Sequence, residues 1–250
     1  MRPTVLAYHA VVQSAPESDP HCLAVLADVF AAQMDELAAS GRVVPLSDVV
    51  SGRAGRGSVA ITFDDGYRGV LEVAAPLLAE RGLPATIFVP TGHLGERNRW
   101  DDLSDPAFAI VRADELLALE ALGVAVESHG HGHISYASSA ALDIRADLDE
   151  STAVLSEALG RRPRYLAYPF GPCTHASQNV ARLRGYEAAF TIDMRHAGQF
   201  AWGRVAVQPS DSLRLFRLKT SGWYAPLRFN PAADLAAAAT RPVRRLRRIL

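Results

Sequence analysis

The stretch Val59-Ala60-Ile61-Thr62-Phe63-Asp64-Asp65-Gly66-Tyr67 opens apolar and closes on two adjacent carboxylates and a glycine. Its first five residues predict a short buried strand, which Asp64-Asp65-Gly66 ends. Two carboxylates side by side at the tip of a buried strand repel each other. A cation, a shared proton or strong hydrogen bonds must relieve that repulsion. Ligands of parallel α/β proteins gather at the C-terminal ends of strands, so the pair stands where chemistry is expected. The plainer alternative is that one Asp caps the next helix and Gly66 makes the turn.

Similar units lie on both sides of this stretch. Strands are expected at Thr4 to Tyr8, Val43 to Leu46, Pro84 to Pro90, Val124 to Ser128, Tyr165 to Tyr168, Glu187 to Ile192 and Val205 to Val207. Helices are expected at Val29 to Ala39, Val70 to Arg81, Asp114 to Leu122, Ser138 to Leu159 (with Ser139 as its cap) and Ala176 to Leu183. Residues 11–24 and 91–106 read as loops. Strands alternating with helices predict parallel βαβ units. About seven strands with polar residues at their C-terminal ends suggest a barrel-like α/β fold rather than an open sheet.

Composition excludes some function classes. The 250-residue chain has 49% hydrophobic residues and a formal net charge of -1. That supports one large domain and provides no global field for nucleic acid or an anionic membrane. Cys22 and Cys173 are the only cysteines and neither lies in a CxxC pattern, which argues against a Cys-rich zinc site or a disulfide framework. The N-terminus reaches His9 too soon for the apolar core of a signal peptide, and no apolar run is long enough to span a bilayer. The expected location is therefore cytoplasmic. The final stretch, Arg241 to Leu250, carries five arginines between apolar residues at helical spacing. It reads as a helix packed on the barrel, with a peripheral membrane contact as the alternative.

The second chemical cluster is Ser128-His129-Gly130-His131-Gly132-His133. Three imidazoles in five positions, in a Gly-rich loop at a strand end, make a metal site. Spacing alone leaves open which two bind. One carboxylate and two imidazoles leave coordination open for water or substrate, and only one of Asp64 and Asp65 is needed as a ligand. The other can take a proton from an attacking water.

Thr62-Phe63-Asp64-Asp65-Gly66 and His129-Gly130-His131-Gly132-His133 together resemble the polysaccharide deacetylases, carbohydrate esterase family 4, with the NodB-homology fold. The resemblance runs over roughly residues 4–208. It takes in Tyr8-His9, the strand Pro84-Ala85-Thr86-Ile87-Phe88-Val89, Trp100 and Ala167-Tyr168-Pro169-Phe170-Gly171. It implies a distorted (β/α)7 TIM-like barrel over residues 1–222, followed by the basic tail, 223–250. It implies metal-dependent removal of N-acetyl groups from an amino-sugar substrate, with zinc the first choice of divalent metal. Asp64 matches the catalytic base, and Asp65, His129 and His133 match the metal ligands. The Phe170 N–H matches the oxyanion donor, and His9, Trp100, His131 and Tyr168 become candidate substrate contacts.

Three departures stand out. Ala167 occupies a position where the family often has an Arg that steadies the base; Arg204 is a candidate substitute, with a surface role as the alternative. The late Leu-His motif that supplies the general acid is missing, leaving His9, His131 or water as proton donor. Gly130 stands where Ser or Thr is common. These changes resemble the shorter branch acting on exopolysaccharide-type substrates. The expected partner is a carbohydrate such as a glycan precursor, lipid-linked sugar or glycosylated metabolite. Rival readings are O-deacetylation, deformylation or cyclic-amide hydrolysis on the same site, or a metal-containing glycan-binding protein without catalysis.

Overall fold

The computed structural model describes residues 3–192, 198–222 and 224. The apolar strand β1 (Thr4–Tyr8) opens the chain and is followed by two short strands, β2 (Ala10–Val12) and β3 (Ala24–Leu26), which pair with each other in parallel. Helices α1 (Ala27–Ser40) and α2 (Leu46–Val50) precede β4 (Val59–Phe63). Then come α3 (Ala75–Glu80), β5 (Ala85–Val89), α4 (Leu116–Ala121), β6 (Val124–Ser128), α5 (Ala141–Leu159), β7 (Tyr165–Ala167) and α6 (His175–Leu183). The described part ends with β8 (Ala188–Thr191), β9 (Trp202–Gly203), β10 (Val205–Ala206) and α7 (Leu213–Thr220).

One sheet runs β10-β1-β4-β5-β6-β7-β8-β9, and every pairing in it is parallel. Its two outermost strands are consecutive in sequence and separated only by Arg204. Trp202 and Gly203 pair with β8, whereas Val205 and Ala206 pair with β1. One strand, split at Arg204, thus joins the two ends of the sheet. Counting β9 and β10 as that one strand gives the seven-stranded parallel barrel that the sequence led one to expect.

Strand alternation sorts the side chains into two layers. Val5, Ala60, Phe88, Tyr165, Ala167, Ala188 and Phe190 pack together as the bore. The alternate residues, among them Leu6, Ile61, Phe63, Ile87 and Val126, pack outward with Phe30, Met34 and Leu37 of α1 and Leu78 of α3. Asp64 continues the inward parity of Ala60 and Thr62, and His129 continues that of Glu127. Chemistry therefore collects at the C-terminal mouth.

Several boundaries differ from the expectation, each for a local reason. Val43 makes only an isolated bridge to Val59, and the chain turns helical at Leu46, with Pro45 just before the first turn and Leu46 and Val49 on one buried face. The segment 11–24 holds the second half of β2 and begins β3. The helix expected from Val70 begins as a π-helical turn, Val70–Ala74. Pro76, at the start of α3, has no N–H for Glu72, and this is where the ladder widens. Helix α5 begins at Ala141 without a side-chain cap, so Ser139 does not cap it. Helix α7 was not anticipated. It anchors β10, because Lys219 Nζ donates to the Ala206 carbonyl at 2.8 Å and to Asp211 at 2.5 Å. The tail 223–250 lies outside the described residues except for Tyr224.

Gly69, just before the π turn, holds β2 close. Its φ of -57° suits any residue, but a Cβ there would lie 2.2 Å from the Val11 carbonyl oxygen. Overpacking of this kind costs about 1–3 kcal/mol. Gly69→Ala should lower Tm by about 2–4 °C per kcal/mol in a chain of this size. Calorimetry checks it, and an unchanged Tm would mean that β2 moves aside freely.

Candidate metal centre and active site

The two carboxylates at the end of β4 are separated by a change of backbone hand. Asp64 stays on the barrel ladder, its N–H donating to the Tyr8 carbonyl at 2.9 Å. Asp65 adopts φ +67°, a left-handed conformation costly for a residue with a Cβ. The turn gives the neighbours different partners. Asp64 faces Arg204, which forks onto it through Nη1 to Oδ1 at 2.7 Å and Nη2 to Oδ2 at 2.6 Å. Arg204 is 1% exposed, also donates to Thr62 Oγ1 and lies over the Phe88 ring. A bidentate pair away from water is strong and fixes orientation. Burial pushes the Asp64 carboxyl up, but Arg204, His129 and His9 outweigh it and hold the group below the ordinary carboxylate range.

Asp65 faces two imidazoles. Its Oδ1 is 3.2 Å from His129 Nε2 and 3.2 Å from His133 Nε2. His129 Nδ1 lies 2.8 Å from the Ala167 carbonyl, which can only accept, so Nδ1 carries a proton, and in the neutral ring the lone pair is on Nε2, facing the cluster. His133 is buried, and neither of its ring nitrogens has a hydrogen-bond partner. Donor atoms of Asp65, His129 and His133 lie within 4.8 Å of one another. An orphaned buried nitrogen beside a carboxylate and a second imidazole fits a divalent cation, with the ligand types of a three-ligand zinc site.

The electrostatics make the same demand. Burial would raise Asp65, but the two imidazoles hold it well below the usual range. Burial pulls His129 down, yet Asp65 and Asp64 outweigh it and raise it. Burial wins at His133, whose pKa is lowered. Positive charge is drawn to the cluster either as a proton or as a metal ion.

The histidine loop is held by a residue that the sequence analysis did not single out. Asp147 of α5 accepts from the backbone N–H groups of His131 at 2.9 Å and Gly132 at 2.7 Å, and from the Tyr136 hydroxyl. A Cβ on Gly130 would lie 2.5 Å from Asp147 Oδ2 and 2.7 Å from the Tyr136 oxygen. Position 130 therefore has no room for a side chain, and the acceptor that holds the loop comes from the helix. His133 itself has φ +50° and Phe170 φ +62°, so three residues of the centre sit in the left-handed region.

The remaining candidates divide. His9 follows β1 at the same mouth, and its charge bears on both Asp64 and Asp65. Trp100 stacks on the His133 ring at 3.9 Å and 22°. Phe170 meets the other neighbourhood of that ring edge-on at 4.6 Å and is 47% exposed. Tyr168 is not a substrate contact: it is fully buried, and its hydroxyl donates to the Phe200 carbonyl at 2.8 Å. It shares the outer face of β7 with Leu166, beneath α6. His131 is also turned away. Its Nδ1 lies 3.0 Å from Thr91 Oγ1 and its Nε2 3.2 Å from Glu150.

The chain is similar to known proteins. A sequence profile of the Polysaccharide deacetylase family matches residues 51–189, more than half of the chain. The chain belongs to the polysaccharide deacetylase family. It is 28% identical over 153 residues to a Staphylococcus aureus poly-beta-1,6-N-acetyl-D-glucosamine N-deacetylase, covering 57% of this chain and 50% of that protein. The chain spans about half the length of the curated relatives it matches. The solved structure of IcaB from Ammonifex degensii aligns with a TM-score of 0.73 at 26% identity, over 90% of this chain and 97% of that one. The Streptococcus pyogenes deacetylase PplD in complex with acetate aligns with a TM-score of 0.75 at 20% identity, over 88% and 98%, which shows the fold.

Within this deacetylase barrel the Arg204–Asp64 pair makes a testable prediction. A carboxyl whose pKa falls on folding adds stability above its unfolded pKa and loses it as pH drops through the folded one. Arg204→Met should cost about 3–5 kcal/mol at neutral pH, because it leaves a buried charge unpaired. The gap to wild type should narrow as pH falls below the ordinary carboxylate range. Urea unfolding across that range measures it, and a pH-independent gap would mean that Arg204 acts by packing alone.

Proposed function

We propose that this polysaccharide deacetylase is a metal-dependent hydrolase that removes N-acetyl groups from an amino-sugar substrate. One observation carries the reading: the Asp65, His129 and His133 donor set lies beside a second carboxylate, Asp64, held by its own arginine. Similarity to a poly-beta-1,6-N-acetyl-D-glucosamine N-deacetylase supports an N-acetylglucosamine-type amide as substrate. We assign the activity to the barrel, residues 1–222.

A divalent ion held by Asp65, His129 and His133 would supply a Lewis acid and make water easier to ionise. Asp64 accepts the proton of the attacking water, and Arg204 keeps it ionised and fixed in direction. The N–H of Phe170, set by the left-handed turn after β7, donates to the developing oxyanion. Backbone suffices for that role. His9 protonates the departing amine: it lies at the mouth, whereas the His131 ring is occupied by Thr91 and Glu150. The carbonyl carbon–nitrogen bond breaks to give acetate and a free amine. The exposed ring of Phe170 offers an apolar face for a sugar beside the cluster.

Asp64→Asn should lower acetate release from N-acetylglucosamine oligomers by about 10²–10⁴-fold, the range for loss of a general base, while retaining stoichiometric metal. Chelation should abolish release by the wild type, and added zinc should restore it. A D64N protein as active as wild type, or release indifferent to chelator, would contradict the proposal.

A further inference from the structure

The long loop after β5 reaches the metal cluster at two points. We propose that residues 98–101 clamp two of the metal ligands, Asn98 fixing Asp65 through Tyr67 and Trp100 fixing the ring of His133. The inference rests on the metal centre proposed above and concerns what sets its affinity.

Asn98 is 2% exposed, and its side-chain amide is fully committed. Its Nδ2 donates to the Tyr67 hydroxyl at 2.6 Å and to Asp101 Oδ2 at 3.0 Å, and its Oδ1 accepts from the Asp101 N–H at 2.9 Å. A carboxylate only accepts and an N–H only donates, so these partners decide which end of the amide is which. The Tyr67 hydroxyl therefore receives a hydrogen bond from Asn98 and has its own proton left to give. Asp65, two residues earlier in the chain, is the carboxylate whose charge bears most on that hydroxyl, and it is the acceptor we assign to the proton. Tyr67 is fully buried, its ring edge-on to Phe108 at 5.6 Å and its backbone bridged to Ile110. The phenol cannot swing away, so it holds the direction in which the carboxylate points.

At the second point the two histidines differ. A ligating His usually gives its other ring N–H to a carbonyl or carboxylate, which sets the ring's orientation. His129 does this with Ala167. His133 Nδ1 is buried without any partner. What bears on its plane is packing: Trp100 lies nearly parallel at 3.9 Å, and is itself met by His93 at 5.1 Å. Stacking replaces the missing hydrogen bond.

The test is zinc affinity of chelator-stripped protein, measured by competition with a chromophoric chelator. Loss of an outer partner of a ligand typically costs 10–100-fold in affinity, so Tyr67→Phe and Asn98→Ala should each weaken zinc by roughly that factor. The double variant should be little worse than Tyr67→Phe, because the two act in one chain. Trp100→Ala should weaken zinc, and Trp100→Phe, which keeps an aromatic face, should restore most of the affinity. Tyr8→Phe is the control: it removes another buried phenol hydroxyl, bonded to Gln33 at 2.8 Å, and should lower Tm without moving zinc affinity. Wild-type affinity in Tyr67→Phe and Trp100→Ala overturns the clamp and leaves the metal centre standing. A wild-type protein that binds no zinc overturns the metal centre and the clamp together.

Discussion

Two neighbouring carboxylates, each about 5% exposed or less, close one strand of a barrel whose bore is packed largely with apolar side chains. Like charges this close and this dry are not tolerated without compensation. The chain compensates them separately. A left-handed residue at Asp65 turns the pair apart; Arg204 pairs with one, and two imidazoles face the other. This division gives each carboxylate a distinct chemical character. Asp64 is tied to a permanent cation, while Asp65 faces two imidazoles.

The barrel's closure serves the same end. The strand that joins β8 to β1 is interrupted at Arg204, and the interruption aims that side chain at Asp64. Lys219 and Asp211 tie α7 to the strand end just beyond it. The arginine that the family often carries two residues before the proline of the β7 turn is replaced here by Ala167, whose carbonyl orients His129. The arginine that pairs with Asp64 thus comes from another strand. The compensation at Gly130 is similar, where Asp147 on α5 fills the space that a side chain would take.

Much of this was legible in the chain. The strands carrying Asp64, Asp65 and His129 are short apolar runs bounded by Gly, Pro or charge, and their observed limits fall within a residue or two of those expected. Asp65, His129 and His133 converge because each follows a strand of one parallel sheet, which alternating βαβ units already implied. Other features needed three dimensions. Tyr168 lies inside a family motif, but strand parity places it with Leu166 on the outer face, so motif membership misled. His131 lies in the loop beyond β6, where Gly130 at φ +76° breaks the alternation, and its ring meets Thr91 and Glu150 instead. Asp147 was readable in principle, being an acid among Ile144, Leu148, Ser151 and Leu155 on the buried face of a helix. Asn98 carries no local signal, because its partner Tyr67 is 31 residues distant.

The most direct test of the account is where a metal sits. Crystals of the wild-type protein soaked in zinc should show, in anomalous difference density at the zinc edge, one peak per chain bounded by Asp65 Oδ1, His129 Nε2 and His133 Nε2, with Asp64 still paired to Arg204. A peak centred on Asp64, or ligation by His131 in place of His133, would contradict the separate roles assigned to the two carboxylates and the three histidines.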